Sequence, residues 1–269
     1  MSGLPTPQTP EGAAALAAVI AEPNRALVAV DYDGTLAPIV DRPEDAIAHP
    51  GAVAALGALT GVVGQVAIVT GRPSAEAVRL GGLADIPGLV VLGHYGLERW
   101  SAGRVETPHT HPGVTVARRG VAELVAEGPP GLALEDKGHS VALHTRRAAD
   151  PAGALTAVRP RIDQLANETG LIVAPGRFVL ELRPPGTDKG NALRTLVAES
   201  RPSSVVFIGD DEGDLSAVAA LRAMDVVGMV VCSDSAESPP RLRQQADLVV
   251  AGPDGVVSFL QALTKTIVS

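Results

Sequence analysis

Two aspartates one residue apart, in Asp31-Tyr32-Asp33-Gly34-Thr35-Leu36, are the side chains best equipped for chemistry. They follow the apolar run that ends at Asp31. Carboxylates so placed share a site yet differ in surroundings. One can stay ionised as a nucleophile while the other holds a proton as an acid. Gly34 allows a sharp turn. The same letters also suit a plain Asx-type turn, because Asp-Gly is a common turn signal. Three further strings weigh against that plain reading. Thr70-Gly71-Arg72 offers a hydroxyl that can donate to a phosphoryl oxygen, with the Gly71 backbone beside it; it can also cap a helix starting at Pro73 or Ser74. Asp210-Asp211-Glu212-Gly213-Asp214 crowds carboxylates that repel one another and call for a cation. Hard oxygen donors with no His or Cys nearby point to Mg2+ rather than zinc. The plain alternative there is a solvated acidic loop. Lys189, in Gly186-Thr187-Asp188-Lys189-Gly190-Asn191, can hold a carboxylate in place and neutralise an incoming phosphate.

Lys189 stands out in the composition as well. The 269 residues include 22 basic and 30 acidic side chains, a formal charge of −8. Only Lys137, Lys189 and Lys265 are lysine; the other basic residues are arginine. A chain that writes Arg wherever a cation will do keeps Lys where a compact charge is needed. The acidic balance and six aromatics make a poor nucleic-acid surface. A single cysteine, Cys232, excludes an internal disulfide and a cysteine-based zinc cluster; it follows the apolar run from Val226 to Val231 and reads as a buried thiol. His109 and His111 lack a third ligand nearby and read as loop. No window is long enough to cross a bilayer, and no basic residue precedes Arg25, so the expectation is a soluble cytoplasmic protein. Residues 1–12 read as a loose tail.

The elements that must position these residues follow from periodicity. Leu27–Asp31, Val66–Thr70 and Val205–Asp210 are short apolar, β-branched runs ending in polar residues. Each reads as a strand buried on both faces. Helical patterns lie between them, at Gly51–Leu59, Ser74–Leu80 and Asn191–Glu199. Alternating strand and helix predicts an α/β, doubly wound, mostly parallel sheet, with its ligand site at the carboxyl ends of the strands. The middle of the chain differs. Val141–Leu143, Leu171–Val173 and Phe178–Leu182 are strand candidates near the turn signals Lys137-Gly138 and Pro175-Gly176. Helical stretches at Thr115–Ala126 and Ala152–Glu168 accompany them. This predicts an α+β insert over 104–186, with residues 1–103 and 187–269 forming the core.

The four strings, in this order, resemble the motifs of the haloacid dehalogenase superfamily of phosphotransferases. The resemblance implies a Rossmann-like core with a cap inserted between the second and third motifs. It also implies a two-step phosphoryl transfer. Asp31 attacks phosphorus; Asp33 protonates the leaving alkoxide and then activates water; Thr70 and Lys189 offset charge on the moving group. Mg2+ would be held by Asp31, the Asp33 backbone carbonyl and Asp210, with Asp211 or Asp214 in support. A second Asp that can turn over the intermediate favours a phosphatase.

A narrower resemblance rests on Gly96-Leu97-Glu98, Glu135-Asp136-Lys137, His144-Thr145-Arg146 and Glu181-Leu182-Arg183-Pro184. Together with DYDGTLAPIV and ELRPPGTDKGNAL they look like trehalose-6-phosphate phosphatases. Glu98, Lys137, His144, Arg146 and Glu181 would then contact sugar hydroxyls, beside Gly71 and Arg72 near the phosphate. Tyr95 stands where many members carry His. The expected activity is hydrolysis of trehalose 6-phosphate. Related sugar phosphates are the alternatives: sucrose phosphate, glucosyl- or mannosyl-phosphoglycerate, or a trehalose-like pseudosugar phosphate. The expected partner is this small substrate, with no nucleic acid and no membrane; the sequence leaves the oligomeric state open and is compatible with a monomer. A phospho-Asp receiver module uses similar residues but opens with its acidic pair, whereas here the acidic cluster comes last. No G-x-G-x-x-G follows the first strand, which sets a dinucleotide-binding oxidoreductase aside.

Overall fold

Val28 and Val30 face one side of a sheet and Leu27 and Ala29 the other, and all four are fully buried. That two-sided burial is why the first strand reads as an unbroken apolar run. The computed structural model describes residues 3–40, 42–236 and 238–269. The chain runs α1 (Pro10–Ala21), β1 (Ala26–Val30), α2 (Ala52–Thr60), β2 (Gln65–Val69), α3 (Ser74–Gly81), β3 (Val90–Gly93), β4 (Glu98–Ser101) and β5 (Arg104–Glu106). It continues with α4 (Pro112–Glu127), β6 (Ala133–Asp136), β7 (Val141–His144), α5 (Pro151–Thr169), β8 (Ile172–Gly176) and β9 (Val179–Arg183). It closes with α6 (Lys189–Ser200), β10 (Ser204–Gly209), α7 (Leu215–Ala223), β11 (Val227–Asp234), α8 (Pro240–Gln245), β12 (Leu248–Ala251) and α9 (Gly252–Ile267). Among the described residues, no helix is long and apolar enough to cross a membrane.

The chain divides into two compact units: residues up to Thr107 together with Asp188–Ser269, and Pro108–Thr187. The first is built on an eight-stranded sheet in the order β12-β11-β10-β1-β2-β3-β4-β5. Strands β12 to β3 pair in parallel, and β4 and β5 continue the sheet antiparallel. This is the expected α/β architecture. Strand β1 lies between β10 and β2, so the carboxyl ends of the three motif-bearing strands are neighbours. One face of the sheet packs with residues of α1, α2 and α9, such as Leu16, Leu56 and Phe259; the other packs with Leu193 and Leu196 of α6 and Val218 of α7. Residues 104–107, placed in the insert by sequence, belong to this unit. Arg104–Glu106 pair with β4, but all three are exposed and leave almost no apolar pattern to read.

The expected loose tail is corrected by the structure from Gln8 onward. The Gln8 N–H donates to the Asp247 carbonyl at 2.6 Å, and the Thr9 hydroxyl donates to the Asp247 carboxylate at 2.5 Å. Thr9 also caps α1, accepting from the Gly12 N–H at 3.0 Å, and Pro10 follows at the first helical position. Both are favoured helix starts. Met1 and Ser2 of that segment lie outside the described residues.

The second unit is an antiparallel sheet, β6-β7-β9-β8, with α4 and α5 packed on one face. Val141, Leu143, Leu180 and Leu182 join that apolar face, with Val121 and Ile162 from the helices. Alternation along the strands puts Ala142, His144 and Glu181 on the other face. The Pro175-Gly176 pair ends β8 rather than making the turn, which falls at Arg177-Phe178, where Phe178 takes a positive φ of 59°.

Candidate active site

Asp31 directly follows the buried strand β1 and is itself only 3% exposed. Its Oδ1 lies 2.8 Å from Lys189 Nζ. Lys189 opens α6, whose start is capped by Asp188 accepting from the Asn191 N–H at 2.8 Å. The Lys189 ammonium also donates to Asp214 Oδ1 at 2.7 Å and stands 3.6 Å from Asp211 Oδ1. Burial by itself would lower the lysine, but Asp211, Asp214 and Asp31 overcome it and hold the ammonium well above its ordinary value. It is charged at every physiological pH.

The acidic string after β10 is ordered by its own last member. Asp214 Oδ2 accepts from the backbone N–H groups of Asp210 and Asp211 at 2.9 and 3.0 Å, and Asp211 in turn caps the Asp214 N–H at 3.1 Å. Asp31, Asp210 and Asp214 are buried and can bring one oxygen each within 4.8 Å of one another. One lysine faces four carboxylates, counting Asp211. The surplus charge shows in the titration. Burial, with Asp214 and Asp211 adding to it, pushes Asp210 up to about 8. Burial also raises Asp31 well above its usual range, against the pull of Lys189. A buried, all-oxygen cluster with surplus negative charge fits a hard divalent cation. Asp214 spends its oxygens on Lys189 and the two backbone N–H groups. Asp31 and Asp210 are therefore the better-placed direct ligands.

The turn after Asp31 is fixed from several sides. The Gly34 N–H donates to the Ala37 carbonyl at 2.7 Å, and the Leu36 N–H to the Tyr32 carbonyl at 2.8 Å. The Thr35 hydroxyl donates to Asp210 Oδ1 at 3.1 Å, and the Ser233 hydroxyl to the Gly34 carbonyl at 2.7 Å. Gly34 has φ +73°, and a Cβ there would fall 1.9 Å from Asp210 Oδ2. Glycine is needed both for the turn and for the approach of the Asp210 carboxylate.

Thr70 directly follows β2 and is 1% exposed. Its Oγ1 accepts from the Arg72 N–H at 3.1 Å, leaving its own hydrogen to be donated. The loop after β3 closes over this turn. His94 and Tyr95 take positive φ values of 47° and 57°. Their N–H groups donate to the carbonyls of Arg72 and Thr70, both at 2.9 Å. The Tyr95 ring packs against Gly71, where a Cβ would lie 2.6 Å from the phenol oxygen. Two left-handed non-glycine residues side by side are costly and persist only under such constraint. Arg72 donates through Nε and Nη2 to the two oxygens of Asp33, each at 2.7 Å, and through Nη1 to Glu76 at 2.9 Å.

Glu98, expected among the sugar contacts, lies on β4 in the first unit. Its Oε2 accepts from the Ser74 N–H and hydroxyl at 2.7 and 2.9 Å and so caps α3. The other four expected sugar contacts fall in the second unit. Lys137 Nζ donates to Glu181 at 3.2 Å and lies 3.8 Å from Glu135; His144 Nε2 pairs with Glu135 at 2.8 Å. Arg146 is exposed beyond the end of β7. Ser140, not singled out by sequence, donates to Glu181 Oε1 at 2.5 Å. Of the two loop histidines, His109 is exposed, and His111 caps α4 through Nδ1, accepting from the Gly113 N–H at 3.1 Å. Cys232 is buried, and burial pushes its thiol up to about 11.

The family model described as trehalose-phosphatase matches residues 29–253. The chain belongs to the trehalose-phosphatase family. A trehalose-6-phosphate phosphatase of Escherichia coli is 30% identical over 242 residues, covering 88% of this chain and 86% of that protein. A Mycobacterium tuberculosis protein described as an uncharacterized glycosyl hydrolase is 35% identical over 224 residues, covering 77% of this chain. The trehalose-phosphatase chain spans only 16% of that relative's length. The solved C. albicans trehalose-6-phosphate phosphatase C-terminal domain superposes with a TM-score of 0.77 at 21% identity, covering 98% of this chain and 99% of that one, which speaks for the fold.

Proposed function

We propose that this protein hydrolyses trehalose 6-phosphate to trehalose and phosphate through an aspartyl-phosphate on Asp31. The observation that carries the reading is the buried Lys189–Asp31 pair, at 2.8 Å, beside the carboxylates of Asp210 and Asp214. In the first step an Asp31 oxygen bonds to phosphorus as the bond to the sugar oxygen breaks. Asp33 gives its proton to that departing oxygen. In the second step Asp33 takes a proton from water, whose oxygen bonds to phosphorus and frees Asp31. Lys189 and the Thr70 hydroxyl face the charge on the transferring group, with the Gly71 N–H beside them. Mg2+ is the cation proposed, held by Asp31, Asp210 and the Asp33 carbonyl; when bound it supplies positive charge against the phosphoryl oxygens. Lys137, His144, Arg146 and Glu181 are proposed to read sugar hydroxyls, which makes Pro108–Thr187 the specificity unit. The cytoplasm is the proposed compartment.

The test is phosphate release across trehalose 6-phosphate, sucrose phosphate, glucosyl- and mannosyl-phosphoglycerate and an aryl phosphate, with and without Mg2+. Trehalose 6-phosphate is expected to be hydrolysed fastest. Turnover no better than that of the aryl phosphate would reject the substrate. The Asp31→Asn variant is expected to fold and to lose activity by several orders of magnitude; retained turnover would reject the nucleophile.

A further inference from the structure

Arg72 was expected beside the substrate, yet its guanidinium is already engaged elsewhere. The two oxygens of Asp33 meet Nε and Nη2, a planar two-point contact that fixes both the position and the plane of the carboxyl group. Nη1 is held by Glu76, in the first turn of α3. The guanidinium carbon stands 5.6 Å from the centre of the Tyr32 ring. Tyr32 is fully buried and anchored by its hydroxyl donating to the Ala46 carbonyl at 2.9 Å. The Arg72 side chain is only 11% exposed, whereas that of Asp33 is 37% exposed. The arginine is thus the fixed member of the pair and the aspartate the member that reaches solvent.

Beyond that fork, Asp33 is tied through its backbone, which bridges to Ala37. Its neighbours on the turn are tied by Thr35, Ser233 and Lys189, but those bonds go to Asp210, Gly34 and Asp31. We propose that Arg72 is a positioning residue that aims Asp33, acting on the leaving-group step through Asp33 rather than by touching the phosphate. Tyr32 and Glu76 are the backstop that keeps the guanidinium in place. The inference rests on the proposed proton transfer by Asp33 and says which side chain places that carboxyl.

The experiment compares kcat/KM for trehalose 6-phosphate, whose alkoxide needs a proton to leave, with that for p-nitrophenyl phosphate, whose phenolate does not. The readout is the ratio of the two. Arg72→Ala is expected to lower that ratio by about tenfold or more, a part of what general acid catalysis provides. Arg72→Lys keeps the charge but not the fork, and is expected to leave the ratio well below that of the unaltered enzyme. In an Asp33→Asn background, Arg72→Ala is expected to change the ratio no further. Equal losses on both substrates, full rescue by lysine, or an undiminished effect in the Asp33→Asn background would each overturn the proposal. A fall in Asp33→Asn without one in Arg72→Ala overturns this inference alone. An unchanged ratio in Asp33→Asn removes the proton-donor role and this inference with it. Failure of the unaltered enzyme to hydrolyse trehalose 6-phosphate is read separately, in the substrate comparison.

Discussion

Lys189 does two jobs that pull in opposite directions. Its ammonium makes the carboxylates around it tolerable, and it presses close to the Asp31 oxygen proposed to attack phosphorus. One positive charge cannot neutralise four carboxylates, so the balance without a cation is settled by protons. Asp210 sits near 8 rather than at its ordinary 3.8. Between those two values the folded protein holds a proton that the unfolded chain has released. Stability must therefore fall as pH rises through that interval. The metal-free protein is expected to lose Tm steadily from pH 5 to pH 8, and added Mg2+ to raise Tm most at the upper end. Thermal melts in chelator and in excess Mg2+ at several pH values check this. A metal-free Tm that climbs with pH would contradict it. At this scale the site was largely legible in the sequence, because Asp31, Asp210 and Lys189 each stand at the end or start of an element with an apolar pattern. The Asp33–Arg72 fork was not, since nothing in the spacing of two loop residues tells which carboxylate a long, flexible arginine will choose.

At the scale of elements, strands buried on both faces announced themselves and thin ones did not. β1, β2 and β10 are runs of buried aliphatic residues. β4 and β5 carry one buried residue between them, Trp100, so periodicity had nothing to register. With that hairpin unread, the helix cap that Glu98 provides was out of reach as well. Once β4 is seen to pair with β3, Glu98 stands opposite Gly93 and reaches the start of α3. Glu98→Ala is expected to destabilise the fold by about 1–2 kcal/mol, the usual worth of a helix cap, while KM for the sugar phosphate stays within about twofold, far less than a lost contact of ~1 kcal/mol or more would cost. Urea unfolding beside steady-state kinetics separates the two roles. A raised KM with unchanged stability would restore Glu98 to the substrate. The start of α1 was readable but overlooked. Thr9-Pro10-Glu11 carries a cap, a helix-starting proline and an acidic first turn. What could not be read is the partner that pins it, Asp247, 238 residues away from Thr9.

At the scale of the whole molecule, the two units divide the labour by charge. The first concentrates carboxylates at one strand-end cluster, so under the proposed chemistry a protein of net charge −8 would handle an anion through a cation and one lysine. The second spreads Glu135, Lys137, His144 and Glu181 over a sheet face, where opposite charges already satisfy one another. A sugar entering that network trades hydrogen bonds rather than charges, which gives discrimination more than raw affinity. Lys137→Ala is therefore expected to reduce kcat/KM for trehalose 6-phosphate at least ~10-fold more than for p-nitrophenyl phosphate, a loss of roughly 1.4 kcal/mol or more. Parallel kinetics with both esters read this out, and equal losses would take Lys137 out of sugar recognition.

The discontinuity of the first unit, broken at Thr107 and resumed at Asp188, governs the order in which the protein can assemble. On the ribosome, β1 and β2 emerge early, but β1 waits for β10 until the whole intervening unit has been made. Thr35 and Asp210, which close the site from either side, are 175 residues apart. Until they meet, the nucleophile-bearing strand has one open, strongly hydrophobic edge, the kind of surface on which nascent chains stick together. The middle unit, Pro108–Thr187, is one continuous stretch of chain and can fold while that edge waits. Catalytic competence is thus a late event in the life of each molecule, and enzyme activity during synthesis or refolding reports the joining of the two distant halves rather than the first appearance of secondary structure.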